Sequence, residues 1–207
     1  MIVKLAHLTF ATGKTDVEKM CGCFVNHHIQ FSEKGLANIP AKELFFQKPH
    51  ADHDLVKLES EEGVPIEIVG YDRCTGDSLA KWCAEKKTLC LFTSDLTNSV
   101  SFWKRLGFTL VEQNQQEACL RACFLMDRQP VELRLIATET VIQALDQRGL
   151  VAVAFVVTGL DRWVEKLNSW GVQTSVPQEL MVNGHWLQIS FASSGSGDIV
   201  EFFSIKR

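Results

Sequence analysis

No stretch of the 207 residues comes near the roughly 20 consecutive apolar positions that a membrane-spanning helix requires. Met1 to Phe10 is interrupted by Lys4 and His7 and lacks the charged-then-apolar order and small-residue cleavage site of a secretion signal. Positive charge is not in excess either. Against 25 Asp and Glu stand 21 Lys and Arg, and the net charge of −4 argues against a nucleic-acid or anionic-membrane partner. A glycine-rich phosphate loop, a Gly-x-Ser-x-Gly elbow and a paired-carboxylate pattern are all missing, and with them the commonest signatures of nucleotide, esterase and glycosidase chemistry. The seven cysteines are odd in number and irregularly spaced, so they do not form a disulfide framework. The expectation is a cytoplasmic protein with neither a nucleic-acid nor a membrane partner.

At 46% hydrophobic and 22% charged residues, the composition is that of an ordinary globular chain able to bury a sizeable core. The chain also repeats itself. Three segments end alike: Pro65-Ile66-Glu67-Ile68-Val69, Pro130-Val131-Glu132-Leu133-Arg134 and Ile199-Val200-Glu201-Phe202-Phe203. Each sets one glutamate among β-formers, and the glutamates lie 65 and then 69 residues apart (67 to 132, 132 to 201).

The openings match as well. β-rich runs at Ile2 to Ala11, Thr88 to Thr93 and Leu150 to Val157 are each followed by a polar break with capping candidates: Thr15-Asp16, Ser94-Asp95 and Thr158 to Asp161. Helical spacing follows, with Val100, Trp103 and Leu106 in the second unit and Leu160, Val164 and Leu167 in the third. Gly107 and Gly171 stand where left-handed helix stops belong. Strand-like runs such as Phe108 to Glu112, Ala118 to Met126 and His185 to Ala192 fill the rest. The pattern is βαβββ three times, over residues 1–72, 88–138 and 150–207, an α+β chain. Linkers fall at Tyr71 to Lys87 and Thr138 to Gly149, and short helices are expected at Ser78 to Lys87 and Glu139 to Arg148. In the first unit, Phe31 to Asp52 is long and holds Pro40 and Pro49, which disfavour a central strand.

Thr93-Ser94-Asp95-Leu96 through Phe102-Trp103-Lys104-Arg105-Leu106-Gly107-Phe108 resembles the first-strand-to-helix passage of the vicinal oxygen chelate superfamily, the glyoxalase, bleomycin-resistance and dioxygenase-like proteins. Gly159-Leu160-Asp161-Arg162-Trp163 to Leu167, then Trp170-Gly171-Val172, is similar to the same passage of another module, and Asp198 to Phe203 to a final strand. Ala6-His7-Leu8-Thr9-Phe10 and Gly63-Val64-Pro65-Ile66-Glu67 match the first and last strands in unit one. The resemblance implies that two or more modules pair into a cradle-shaped mixed-sheet half-barrel with helices outside, whose concave face binds a small molecule. It further implies a divalent metal held by a first-strand residue and a last-strand glutamate of each paired module. The first-strand places are then His7, Thr88 and Ala152, the last-strand places Glu67, Glu132 and Glu201, and only unit one has both ligand types.

Strand alternation sorts the faces. With helices on the convex side, His7 and Thr9, Thr88 and Cys90, and Ala152 and Ala154 point into the cradle, together with Glu67, Glu132 and Arg134, and Glu201 and Phe203. The strand before the last would add Cys119, Arg121 and Cys123, or Trp186, Gln188 and Ser190. Imidazole and carboxylate suit Fe, Mn, Ni or Zn. One arrangement takes His7, Glu67 and Glu132 as metal ligands, with Glu132 or Glu201 as third ligand or general base. Another pairs two copies of unit one across a homodimer axis.

Arg134 can instead neutralise Glu132, or Arg121 and Arg134 can receive an anionic substrate. Trp186 and Phe203 offer a stacking wall. The leading function is a metal-dependent lyase, isomerase or dioxygenase acting on a small organic molecule. The alternatives are metal-free binding or sequestration of such a molecule, and a module that serves assembly alone. Three weaker candidates remain: Cys21-Gly22-Cys23 with His27 and His28, the cluster His50, Asp52, His53 and Asp54, and His185. They read respectively as helix-borne thiols on different faces, a solvated loop and a turn histidine.

Overall fold

The structure is a computed structural model that describes residues 1–17, 19–20, 37–39, 53–58, 66–74, 88–127, 130–139, 141, 145, 147, 149–182 and 185–206. Module one contributes β1 (Ile2–Gly13), a 3-10 turn at Lys14–Asp16, β2 (Ala37–Ile39), β3 (His53–Leu58) and β4 (Ile66–Tyr71). Module two contributes β5 (Thr88–Thr93), α1 (Leu96–Arg105), β6 (Thr109–Gln113), β7 (Glu117–Ala122) and β8 (Val131–Ala137). In module three come β9 (Gly149–Val157), α2 (Leu160–Ser169), β10 (Gln173–Thr174), β11 (Gln178–Val182), β12 (His185–Ser193) and β13 (Ile199–Ile205).

The modules share one pattern of first and last strands, and module three adds a strand, with β10 and β11 both on β12. First and last strands run parallel (β1 with β4, β5 with β8, β9 with β13), and the strand before the last packs antiparallel to the last. Local chemistry explains the helix boundaries. Asp95 accepts a hydrogen bond from the backbone N–H of Asn98 at 3.0 Å, capping α1. Gly107 and Gly171, at φ 100° and 75°, let the chain leave α1 and α2 through a left-handed turn that a side chain would disfavour.

Modules one and three join edge to edge into one open nine-stranded mixed sheet in the order β10-β12-β13-β9-β1-β4-β3-β2, with β11 also on β12. Module two keeps its own four-stranded sheet, β5-β8-β7-β6. Both edges of β1 are occupied, by β4 and by β9. The cradle therefore lies within the chain, and neither module two nor a second copy of unit one pairs with β1.

The convex side of the large sheet carries the main core. Phe155 on β9 is fully buried and stands among Trp103, Phe108, Phe124 and Phe202, with ring centroids 5.3–6.4 Å away. Three of those rings belong to module two, so its helix-bearing side is packed against the back of the cradle. Met126 donates its backbone N–H to the Val3 carbonyl at 3.0 Å, tying the β7–β8 turn to β1.

The linkers and remaining candidates are described only in part. The described residues between β8 and β9 show a turn at Leu145 and a bridge at Gln147, with no helix among them. None of the described cysteines forms a disulfide. Cys21, Cys23, His27, His28, Pro40, Pro49, His50, Asp52 and the expected helix at 78–87 lie outside the described residues. Among the described residues, no helix is long and apolar enough to cross a membrane.

Candidate functional site

The site follows from strand register. Antiparallel β1 and β9 set Thr9 opposite Ala152 and His7 opposite Ala154. Parallel pairing then puts Glu67 beside Thr9 and Glu201 beside Ala154. A two-fold operation thus exchanges the modules: Thr9 corresponds to Ala154, His7 to Ala152 and Glu67 to Glu201. The apolar residues between these positions, Leu8, Phe10, Ile66, Ile68, Val153 and Phe155, bury in the convex core, and that burial sends their neighbours to the concave face.

There His7 Nε2 lies 3.8 Å from Glu67 Oε1 and 3.5 Å from Glu201 Oε2. One donor atom from each of the three falls within 4.8 Å of the others, and among the described residues no further group of three potential ligands meets. His7 and Glu201 are buried and Glu67 is half-buried. The Phe203 ring stacks on the imidazole, centroids 6.0 Å apart and planes 25° from parallel. Beyond the trio, Ala11, Val69, Tyr71, Leu145, Ala152 and Ile199 form a small apolar cluster, with Phe191 packed against it.

The donor set suits a divalent ion. Bonds of about 2 Å place neighbouring donors about 3 Å apart and opposite ones about 4 Å apart, so small adjustments would close this trio on an ion. Two carboxylates against one imidazole also leave negative charge even when His7 is protonated, and a dication would neutralise it. At the corner where the two-fold would supply a fourth ligand stands Ala152, only 2% exposed.

Glu132, expected with His7 and Glu67, is in the other sheet. It receives a hydrogen bond from Arg121 at 2.5 Å, both side chains partly exposed, and is not in the trio. Register gives module two a face bearing Arg121, Glu132, Arg134, Cys90 and Cys119. Arg134 lines a cavity of about 240 Å³ together with Glu112, Glu117 and Cys119, so two carboxylates share the space proposed for an anion. Burial, helped by Glu132 and Glu112, pushes the Cys119 thiol pKa up, which disfavours a reactive thiolate.

Trp186, expected in the cradle wall, takes the other face of β12. Phe191 is paired with Glu201 and Ile189 with Phe203, so Leu187, Ile189 and Phe191 share the site's face, while Trp186, Gln188 and Ser190 alternate away. Trp186 is 48% exposed and pairs with Met181. His185 is exposed at the start of β12. Sequence reasoning put Thr9 on the cradle face but gave it no role. Its hydroxyl is buried there with no hydrogen-bond partner among the described residues.

The family model for the Glyoxalase/Bleomycin resistance protein/Dioxygenase superfamily matches residues 82–194, more than half of the chain. The chain belongs to that superfamily. Among solved structures, a candidate dioxygenase from Bacillus subtilis subsp. subtilis is 10% identical, with 99% of this chain and 63% of that chain covered and a TM-score of 0.43. This chain therefore spans less than two thirds of that protein's length. A glyoxalase/bleomycin resistance protein/dioxygenase from Nocardioides is 21% identical over 64% of this chain and 86% of that chain, TM-score 0.42. A bleomycin resistance determinant encoded on the transposon Tn5 is 15% identical over 64% of this chain and 100% of that chain, TM-score 0.40. Among curated proteins, none matches the chain.

Proposed function

We propose that the chain binds a small organic molecule in the cradle between modules one and three. There it acts on that molecule with the help of a divalent ion of the Fe, Mn, Ni or Zn kind, in a lyase, isomerase or dioxygenase type of reaction. The observation that supports this reading is the convergence of His7, Glu67 and Glu201 from three strands of two modules onto one buried point. When bound, such an ion supplies Lewis acidity toward a substrate oxygen.

The chain's own residues do the rest. Phe203, stacked on His7, forms an aromatic wall beside the imidazole. Glu67 and Glu201 come from opposite halves of the cradle, so a shared ligand ties the halves together. The apolar cluster around Tyr71 and Leu145 takes in Ala152 and so adds apolar surface to the cradle. Ala152 and Ala154 put small side chains on the floor, with Phe203 and Phe191 as aromatic surface beside them. Those same small and aromatic positions favour a second reading, metal-free binding of an apolar or aromatic molecule.

Metal content separates the two. Protein purified without chelators or a metal-affinity tag is expected to carry near-stoichiometric Fe, Mn, Ni or Zn, lost in His7→Ala. Absence of metal from the wild type, even after incubation with each ion in turn, would overturn the metal reading and leave the binding reading standing.

A further inference from the structure

We propose that Thr9 is a positioning residue, whose hydroxyl holds by a hydrogen bond a non-protein oxygen bound beside Glu67, on the side of the site where Ala152 stands in place of a second imidazole. The inference rests on the reading of His7, Glu67 and Glu201 as a metal site and adds to it the means by which the incomplete corner is filled.

Two independent observations carry it. The first is the internal two-fold. Ala152 is the counterpart of His7, so a methyl group stands where symmetry would supply a second imidazole. Across the strand pair, the residue directly opposite Ala152 is Thr9, whose other neighbour is the ligand Glu67. The second is the state of the hydroxyl itself. Thr9 is 6% exposed, and Oγ1 has no hydrogen-bond partner among the described residues. A buried hydroxyl without a partner lowers stability, and natural proteins retain one chiefly where an ion, water or ligand completes it.

The module-three counterpart of Thr9 is Ala154, so of this symmetry-related pair only Thr9 carries a hydroxyl, and it faces Ala152 across the strand pair. A hydroxyl both donates and accepts, and it is therefore suited to an oxygen atom such as that of water. Residues hydrogen-bonded to a metal's ligands typically change metal affinity by 10–100-fold when they are removed. Losing the Thr9 hydroxyl should act in that way while relieving the protein of an unsatisfied group.

The test uses the full chain with Mn²⁺ alone as the probe. Free ion is followed by its electron paramagnetic resonance signal in wild type, Thr9→Val and Thr9→Ser, and the melting of each metal-free protein is recorded. The expected result is that Thr9→Val binds Mn²⁺ about tenfold more weakly than wild type yet melts, metal-free, no lower. Thr9→Ser should keep nearly wild-type affinity. If Thr9→Val binds Mn²⁺ as tightly as wild type, while Glu201→Gln does not, the role of Thr9 is overturned and the metal site stands. Equal weakening in Thr9→Val and Thr9→Ser also overturns it, since the hydroxyl is then not what matters. A wild type that binds none of Mn²⁺, Fe²⁺, Ni²⁺ and Zn²⁺ overturns both readings together.

Discussion

Trp103 of the second module donates its indole N–H to the Asp198 carboxylate of the third, at 2.7 Å, inside the protein. Ser194 donates to the same carboxylate at 2.6 Å and Ser99 also donates to it. Around them the Ser196 carbonyl accepts from the Ser94 N–H and the Thr93 hydroxyl, and Asn98 donates to the Ser194 carbonyl. Modules one and three are thus joined by a sheet, whereas module two is pinned to module three by a polar joint built on one buried carboxylate.

Replacing Asp198 by Ala removes the acceptor from two buried donors, Ser99 and Trp103, and from the half-buried Ser194 at once. The expected loss is about 2–4 kcal/mol, a fall in melting temperature of roughly 5–15 °C for a chain of this size. Thermal unfolding followed by circular dichroism measures it, and a change within a degree or two would contradict the joint.

The joint also has a pH signature. Burial pushes the Asp198 pKa up, against the pull of its hydrogen bonds from Ser194, Ser99 and Trp103. A carboxyl with a raised folded-state pKa contributes stability that is fully present below the unfolded value, about 3.9, and lost as pH rises through the folded value. Asp198→Asn keeps the shape and cannot ionise. Urea midpoints of wild type relative to Asp198→Asn should therefore fall as pH increases from about 4, then level off above the raised pKa. A difference independent of pH would contradict this assignment.

Phe155 is where the packing of the modules converges. Phe155→Ala opens a cavity under Trp103, Phe108, Phe124 and Phe202 and is expected to cost about 3–5 kcal/mol. Chemical denaturation measures the loss, and a cost below about 1 kcal/mol would show that the aromatic cluster closes over the gap.

Much of this architecture is legible in the residues themselves. The recurring glutamate among β-formers marks each last strand, Asp95 marks a helix start, and the positive φ of Gly107 and Gly171 is what a glycine after a helical stretch leads one to expect. Alternation also sorted His7 and Thr9 from Leu8 and Phe10. Module pairing was not legible, because it is a choice among three similar strand edges separated by tens of residues. With hindsight, the run of eight apolar residues Leu150 to Val157 is that of a strand buried on both faces. That choice accounts for Glu201, rather than Glu132, standing beside His7. The placement of Trp186 turned on register. A strand carries Trp186, Gln188 and Ser190 on one face and Leu187, Ile189 and Phe191 on the other, and only its pairing with β13 says which face meets the site.

Metal stoichiometry of Glu201→Gln and Glu132→Gln, measured side by side with wild type by elemental analysis after loading with Mn²⁺, tests most directly whether the cradle of modules one and three is the functional centre. Glu201 lies within ion-pair distance of His7, and Glu132 lies in the other sheet with Arg121. Glu201→Gln should lose most of the bound ion, whereas Glu132→Gln should retain it and, since exposed ion pairs contribute about 0–1 kcal/mol, melt close to wild type. Retention of metal in Glu201→Gln with its loss in Glu132→Gln would contradict the account.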